Sequence, residues 1–222
     1  MAIAYDTASS AQATAASSIS VSHTASGSDR AAFIGVGSSA ESPDLTSTVT
    51  YGGSSCTEIW DFIGQTYAHN SSHYYIAPPT SSQTVTATLA GTDDELVIGV
   101  TSMTGVHQTT PIGTPQTANA TSNAPSVNVS SATDELVVDN LYAITANTLT
   151  VGAGQTERWA QTIGTAVVGK GSTEVGSATT TMSWSMAGAD IWTIGAVGFK
   201  PAGAAAASLV FRPNPMQSLL VR

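Results

Sequence analysis

The chain has 222 residues and a mass of 22.4 kDa, and only 9% of its residues are Asp, Glu, Lys or Arg. Six basic residues against fifteen acidic ones give a net charge of -9. No basic stripe is left to neutralise phosphates, which excludes a nucleic-acid partner.

No apolar run is long enough for a membrane-spanning helix, so no membrane partner is expected. Cys56 is the sole cysteine, which excludes a disulfide framework. The start, Met1-Ala2-Ile3-Ala4-Tyr5-Asp6, lacks the charged and then apolar pattern of a secretory signal. The expectation is a chain made in a cytosol. Its composition, with Ser and Thr at roughly a quarter and little Lys, is that of a particle surface. A virion protein satisfies both.

Residues 1–18 are rich in Ala, Ser and Thr and read as an arm or an edge strand. From there period-2 alternation dominates and helical periodicity is nearly absent. Ile19-Ser20-Val21-Ser22, Thr84 to Leu89, Ser126 to Ser130 and Thr179 to Met186 alternate apolar with polar. Continuous apolar runs at 31–36, 96–100, 136–138 and 191–197 read as strands buried on both faces. Gly, Ser, Asn and Pro clusters separate them, at the spacing of an all-β sandwich.

An internal duplication organises these strands. Ser18-Ile19-Ser20-Val21 and the run after Asp29 recur as Ser126-Val127-Asn128-Val129 and the run after Asp134. Val49-Thr50-Tyr51-Gly52 with Thr57-Glu58-Ile59-Trp60 recurs as Leu149-Thr150-Val151-Gly152 with Thr156-Glu157-Arg158-Trp159. The stretch from Val85 to Val100 recurs as Met182 to Ala196. The order is the same, so residues 18–110 and 125–201 form two similar halves. The expected fold is an antiparallel β-sandwich over 19–201, a jelly roll of about eight strands with each half supplying one Greek key. Two small sandwiches in series are the rival reading.

The tail departs from this pattern. After Phe199-Lys200-Pro201, an Ala-rich spacer leads into an extended segment, 202–222 in all. Its apolar and basic side chains, Leu209, Val210, Phe211, Arg212, Met216, Leu219, Leu220 and Val221, are the candidate partner contacts.

Chemistry-bearing patterns are few. Asp93-Asp94-Glu95 and Asp134-Glu135 are read as turns before strands, where Asp bonds the local backbone. His69 and His73 are four apart, but Asn70-Ser71-Ser72 reads as a loop and no third ligand lies near, so no metal is expected. Cys56 sits in a neutral to acidic stretch and is read as structural. His23 and His107 are isolated at strand ends. No catalytic residue and no cofactor is expected. Trp60, Trp159, Tyr74 and Tyr75 could stack on sugars or line an interface; core plugs are the simpler reading of the repeated Trp pair.

With the strands placed, several stretches resemble the jelly-roll, concanavalin-A-like sandwich domains of phage structural proteins and bacterial surface proteins. They are Ser22-His23-Thr24 with Gly27-Ser28-Asp29-Arg30, Val49-Thr50-Tyr51-Gly52-Gly53, Tyr75-Ile76-Ala77-Pro78-Pro79, Gly105-Val106-His107-Gln108-Thr109-Thr110-Pro111 and Gly195-Ala196-Val197-Gly198-Phe199-Lys200-Pro201. The resemblance spans about residues 3–201 and implies a capsid decoration (cement) protein or another accessory virion part, with no catalytic residues. The expected role is a non-enzymatic virion protein of a tailed phage. It would be a homo-oligomer, a trimer at a threefold position, bound to the major capsid protein or another virion subunit. A carbohydrate-binding module of a fibre or bacterial surface protein is the alternative, and a glycoside hydrolase ranks last for want of paired carboxylates on a strand.

Overall fold

The computed structural model describes residues 2–39, 48–65 and 67–203. The tail contacts Leu209 to Val221 lie outside the described residues. The described chain is all-β and its strands pair antiparallel. In order they are β1 (Ala4–His23), β2 (Ala31–Ser39), β3 (Thr48–Tyr51), β4 (Ser54–Ser55), β5 (Thr57–Gly64), β6 (Ala68–Ile76), β7 (Gln83–Thr104), β8 (Gln116–Ser122), β9 (Ser126–Val129), β10 (Leu136–Ile144), β11 (Thr150–Val151), β12 (Thr156–Ile163), β13 (Val167–Val175), β14 (Thr180–Ser185) and β15 (Asp190–Phe199).

The second half shows the plan most simply. A five-stranded sheet runs β12-β13-β10-β15-β8, and a three-stranded sheet runs β11-β14-β9. The first half repeats this with two fused strands. β7 pairs with β2 through residues 96–103 and with β3 through residues 85–88, while β1 follows it along both stretches. The five-stranded part is therefore β5-β6-β2-β7-β1, and the three-stranded part is β3-β7-β1. The Gly52-Gly53 turn after β3 has φ of 58° and 83°, a region that Gly enters without a Cβ clash.

Each half encloses its own core between its two sheets. In the first half Ile34, Val36, Val49, Tyr51, Val85, Ala87 and Ile98 meet. In the second, Val129, Leu141, Leu149, Met182, Trp184 and Ile194 meet. The two five-stranded sheets then pack face to face through Phe33, Trp60, Met103, Val138 and Phe199. The order of layers is three strands, five, five and three.

The expected single sandwich of about eight strands is corrected by this arrangement, which has fifteen strands among the described residues. The structure fills both cores mainly with Val, Ile, Leu and Ala, joined by Tyr51 in the first and by Met182, Trp184, Met186 and Trp192 in the second. It places three of the largest rings, those of Phe33, Trp60 and Phe199, between the halves. An arm or an edge strand was expected for residues 1–18; from Ala4 onward they run without a break into residues 19–23 as β1, one strand at the edge of both sheets of the first half.

Candidate functional site

Three buried features bear on function: the contact between the halves, a polar cluster in the first half, and a carboxylate in the second. The contact between the halves is reciprocal. Trp60 of β5 lies where a Cβ on Gly195 of β15 would stand, 2.3 Å from the ring carbon Cε2. Trp159 of β12 lies on Gly99 of β7, where a Cβ would be 1.9 Å from Cε2. Any larger residue at either glycine would displace an indole. Trp60 Nε1 donates to Asn70 Oδ1 at 2.9 Å, and Asn140 Nδ2 donates to the same oxygen from the other half at 3.0 Å. Asn70 Nδ2 returns a bond to Asn140 O at 2.9 Å. Trp159 Nε1 has no partner, since the position matching Asn70 is Gly169.

Both indoles are inside, 7% and 5% exposed, so neither offers a face to a sugar. Tyr75 is half-buried and stacks on Tyr51, with ring centroids 5.1 Å apart and planes 4° apart. Tyr74 is half-buried against the core between the halves. The structure therefore does not bring the four candidate aromatics together on one open surface.

His69 and His73 were expected on a loop. They lie on β6, in the interior of a five-stranded sheet, and both are buried. The Asn-Ser-Ser segment between them has turn composition, but its backbone is satisfied by β2 on one side and β5 on the other. His69 Nε2 pairs with Asp61 Oδ1, and His69 Nδ1 lies 3.2 Å from Ser38 Oγ. A ring that donates from Nε2 to Asp61 and accepts at Nδ1 from Ser38 satisfies both contacts. This is the bonding order of a nucleophile, a base and an orienting acid. Ser38 is nevertheless wholly buried, so no substrate reaches its hydroxyl. His73 sits opposite Glu58 and Ile34, and its Nδ1 has no partner. Burial pushes its pKa down to about 4.

Asp139 is the corresponding feature of the second half. Its carboxylate accepts from the backbone N–H and the hydroxyl of Ser172, and from Trp184 Nε1 at 2.8 Å. Gln155 supports Ser172 at 2.7 Å. Burial outweighs these donors and pushes the Asp139 pKa up to about 6. Counted from the strand starts, Asp139 and Ser172 occupy the places of Ile34 and His73. The apolar run read at 136–138 stopped one residue short of this carboxylate. The signal that could have found it is Asp139-Asn140 lying between Val138 and Leu141 on one buried strand.

A cleft of about 190 Å³ opens in the second half beside Thr145, Asn147, Leu149, Thr162 and Lys170. Its lining includes Ala160 and Val168, the counterparts of Asp61 and His69. Lys170 Nζ is already engaged, donating to Glu157 at 2.7 Å and to Leu149 O at 2.9 Å.

The remaining candidates take structural places. Asp93 and Glu95 do not precede a strand as expected. They belong to β7, where it crosses between sheets opposite Ala16 and Thr14. Asp134-Glu135 does form the turn before β10. Burial pushes the Cys56 thiol up to about 12, far from a thiolate at neutral pH. Among the described residues no cluster of three His, Cys, Asp or Glu side chains is placed to hold a metal ion. Compared with known proteins, the chain matches no family model, no curated protein and no solved structure.

Proposed function

We propose that the chain is a non-enzymatic structural protein of a virion, a capsid decoration protein that bridges neighbouring shell subunits. One observation carries this reading. Two equivalent units stand back to back, so the molecule has two similar outer sheets facing opposite ways. Each outer face is uncharged and hydroxyl-lined. On the first, Ser18, Ser20 and Ser22 stand opposite Thr88, Thr86 and Thr84, and Thr48 and Thr50 continue two of the rows. On the second, Ser126 and Asn128 stand opposite Ser183 and Thr181. Paired faces of one chemistry suit a bridge between repeated subunits.

We also read each half as a jelly roll. In the second half the first strand neighbours the eighth, the second the seventh and the third the sixth: β8 with β15, β9 with β14, β10 with β13. This is a hairpin rolled into two layers. The sequence resemblance to phage structural domains points the same way. The tail, with two of the six basic residues on an acidic chain, is the segment proposed to reach a partner.

The test is quantitative mass spectrometry of purified phage particles, followed by heating of decorated and undecorated shells. The expected result is a fixed copy number per shell and a higher rupture temperature for decorated shells. Deleting 203–222 should lower occupancy. Particles without the chain would overturn the proposal.

A further inference from the structure

We propose that acid loosens the first half of the molecule selectively, through two histidines, His23 and His73, sealed between or beside its two layers. The inference is independent of the virion reading. His23, His69 and His73 are 1%, 1% and 3% exposed. They come from β1 and β6, both strands of the first half, and residues 111–203 contain no histidine.

Two of these rings have a nitrogen with no partner, His23 Nε2 and His73 Nδ1. The groups that face them are few. His23 meets Ser9 Oγ at 3.0 Å and the edge of Tyr51 at 6.2 Å, and it feels the charge of Asp6. Tyr51 in turn stacks on Tyr75, and Cys56 and Arg30 act on it from β4's flank and the start of β2. His69 is held by Ser38 of β2 and Asp61 of β5. His73 stands opposite Glu58 of β5 and feels Asp61 and His69. The segments covering this face from the three-stranded side, β3 and the first part of β7, contribute Val49, Tyr51, Val85 and Ala87 and no charge. A ring protonated here would gain a donor that meets hydrocarbon.

Burial holds both His23 and His73 below the ordinary histidine value. A group with a lowered folded pKa binds its proton more readily when the structure opens. The opened state therefore gains as pH falls below the ordinary value of about 6.5, and for His73 the gain continues to about 4. In the second half Asp139 runs the other way. Its folded pKa is raised, so the core gains as pH falls through about 6.

The experiment is hydrogen exchange by mass spectrometry on the full chain, at about pH 7 and about pH 5, with rates corrected for intrinsic chemistry. Residues 18–23, 48–51 and 83–88 should open about tenfold more per pH unit for each histidine that takes up a proton on opening. Residues 126–129, 150–151 and 180–185 should not. His73→Gln should remove part of the rise. Should that variant fail to fold, ring titration of the native protein by NMR replaces it, and His23 and His73 should titrate below the ordinary histidine value of about 6.5. Equal opening in both halves, an unchanged rise in His73→Gln, or His23 and His73 rings that titrate at the ordinary histidine value would each overturn the proposal.

Discussion

The two halves share a strand order and differ in what they bury. At one matched pair of sheet positions the first half has Ile34 and His73, and the second has Asp139 and Ser172. One core hides a base and the other an acid. Between the halves the contacts instead repeat in kind: each half gives a tryptophan and receives one on a glycine. The difference teaches where geometry leaves freedom. An indole face laid on a strand admits only a residue without Cβ, so that contact has one solution. A buried polar group needs only some complement of donors and acceptors, and two different sets meet that need.

The largest expected effect breaks the reciprocal contact. Trp159→Ala and Trp60→Ala should each cost about 3–5 kcal/mol in denaturant unfolding, the usual range for emptying a buried aromatic site. Trp60→Ala should cost more, because it also removes a donor from Asn70 Oδ1, while Trp159 Nε1 has no partner to lose. Equal losses would place the energy in the ring contacts alone. Next comes Gly99→Ala, which sets a Cβ against the Trp159 ring. A cost of about 1–3 kcal/mol is expected, measured as a fall in Tm. A neutral result would mean that the indole can move.

The smallest effect sharpens the contrast between the buried base and the buried acid. The Asp139 carboxyl holds its proton more tightly when folded. Its ionisation therefore costs stability above about pH 6, and that cost fades as pH falls toward the ordinary carboxylate value. Asp139→Asn should remove this component, changing the slope of unfolding free energy by about 1.4 kcal/mol per pH unit between about pH 4 and pH 6. Urea titrations across that window give the slope, and an unaltered one would assign the proton elsewhere.

The duplication was legible because alternation in a strand is a local signal, repeated at matched positions such as Val85–Leu89 and Met182–Met186. The layer count was not. Alternation says that a strand has an inner face but not which sheet the face meets, and β1 and β7 each serve two sheets. The repeated tryptophans were readable as plugs, yet their glycine sockets lie far away in the chain. The cluster of Ser38, Asp61 and His69 was hidden for a similar reason. Its members come from three strands, and Asn70-Ser71-Ser72 carries the composition of a turn while sitting in the middle of a sheet.

The long pairing of β1 with β7 has a consequence for how the chain reaches this state. Ala4 pairs with Thr104 and His23 with Gln83, so β1 must wait for a partner far along the chain. Such distant pairing is slow. The stretch from Ala8 to Ser18 is nearly all Ala, Ser and Thr, so a slide by two residues would bury much the same surface. The alignment is pinned at its ends instead. Irregularities fall at Tyr5/Thr7 and Ala16/Ser18, and Asp6 accepts from Ser26 and Ser102. The carboxylate of Asp6 thus acts as a latch on a zipper whose middle teeth are interchangeable. Until it closes, the newly made strand is free to seat one notch off.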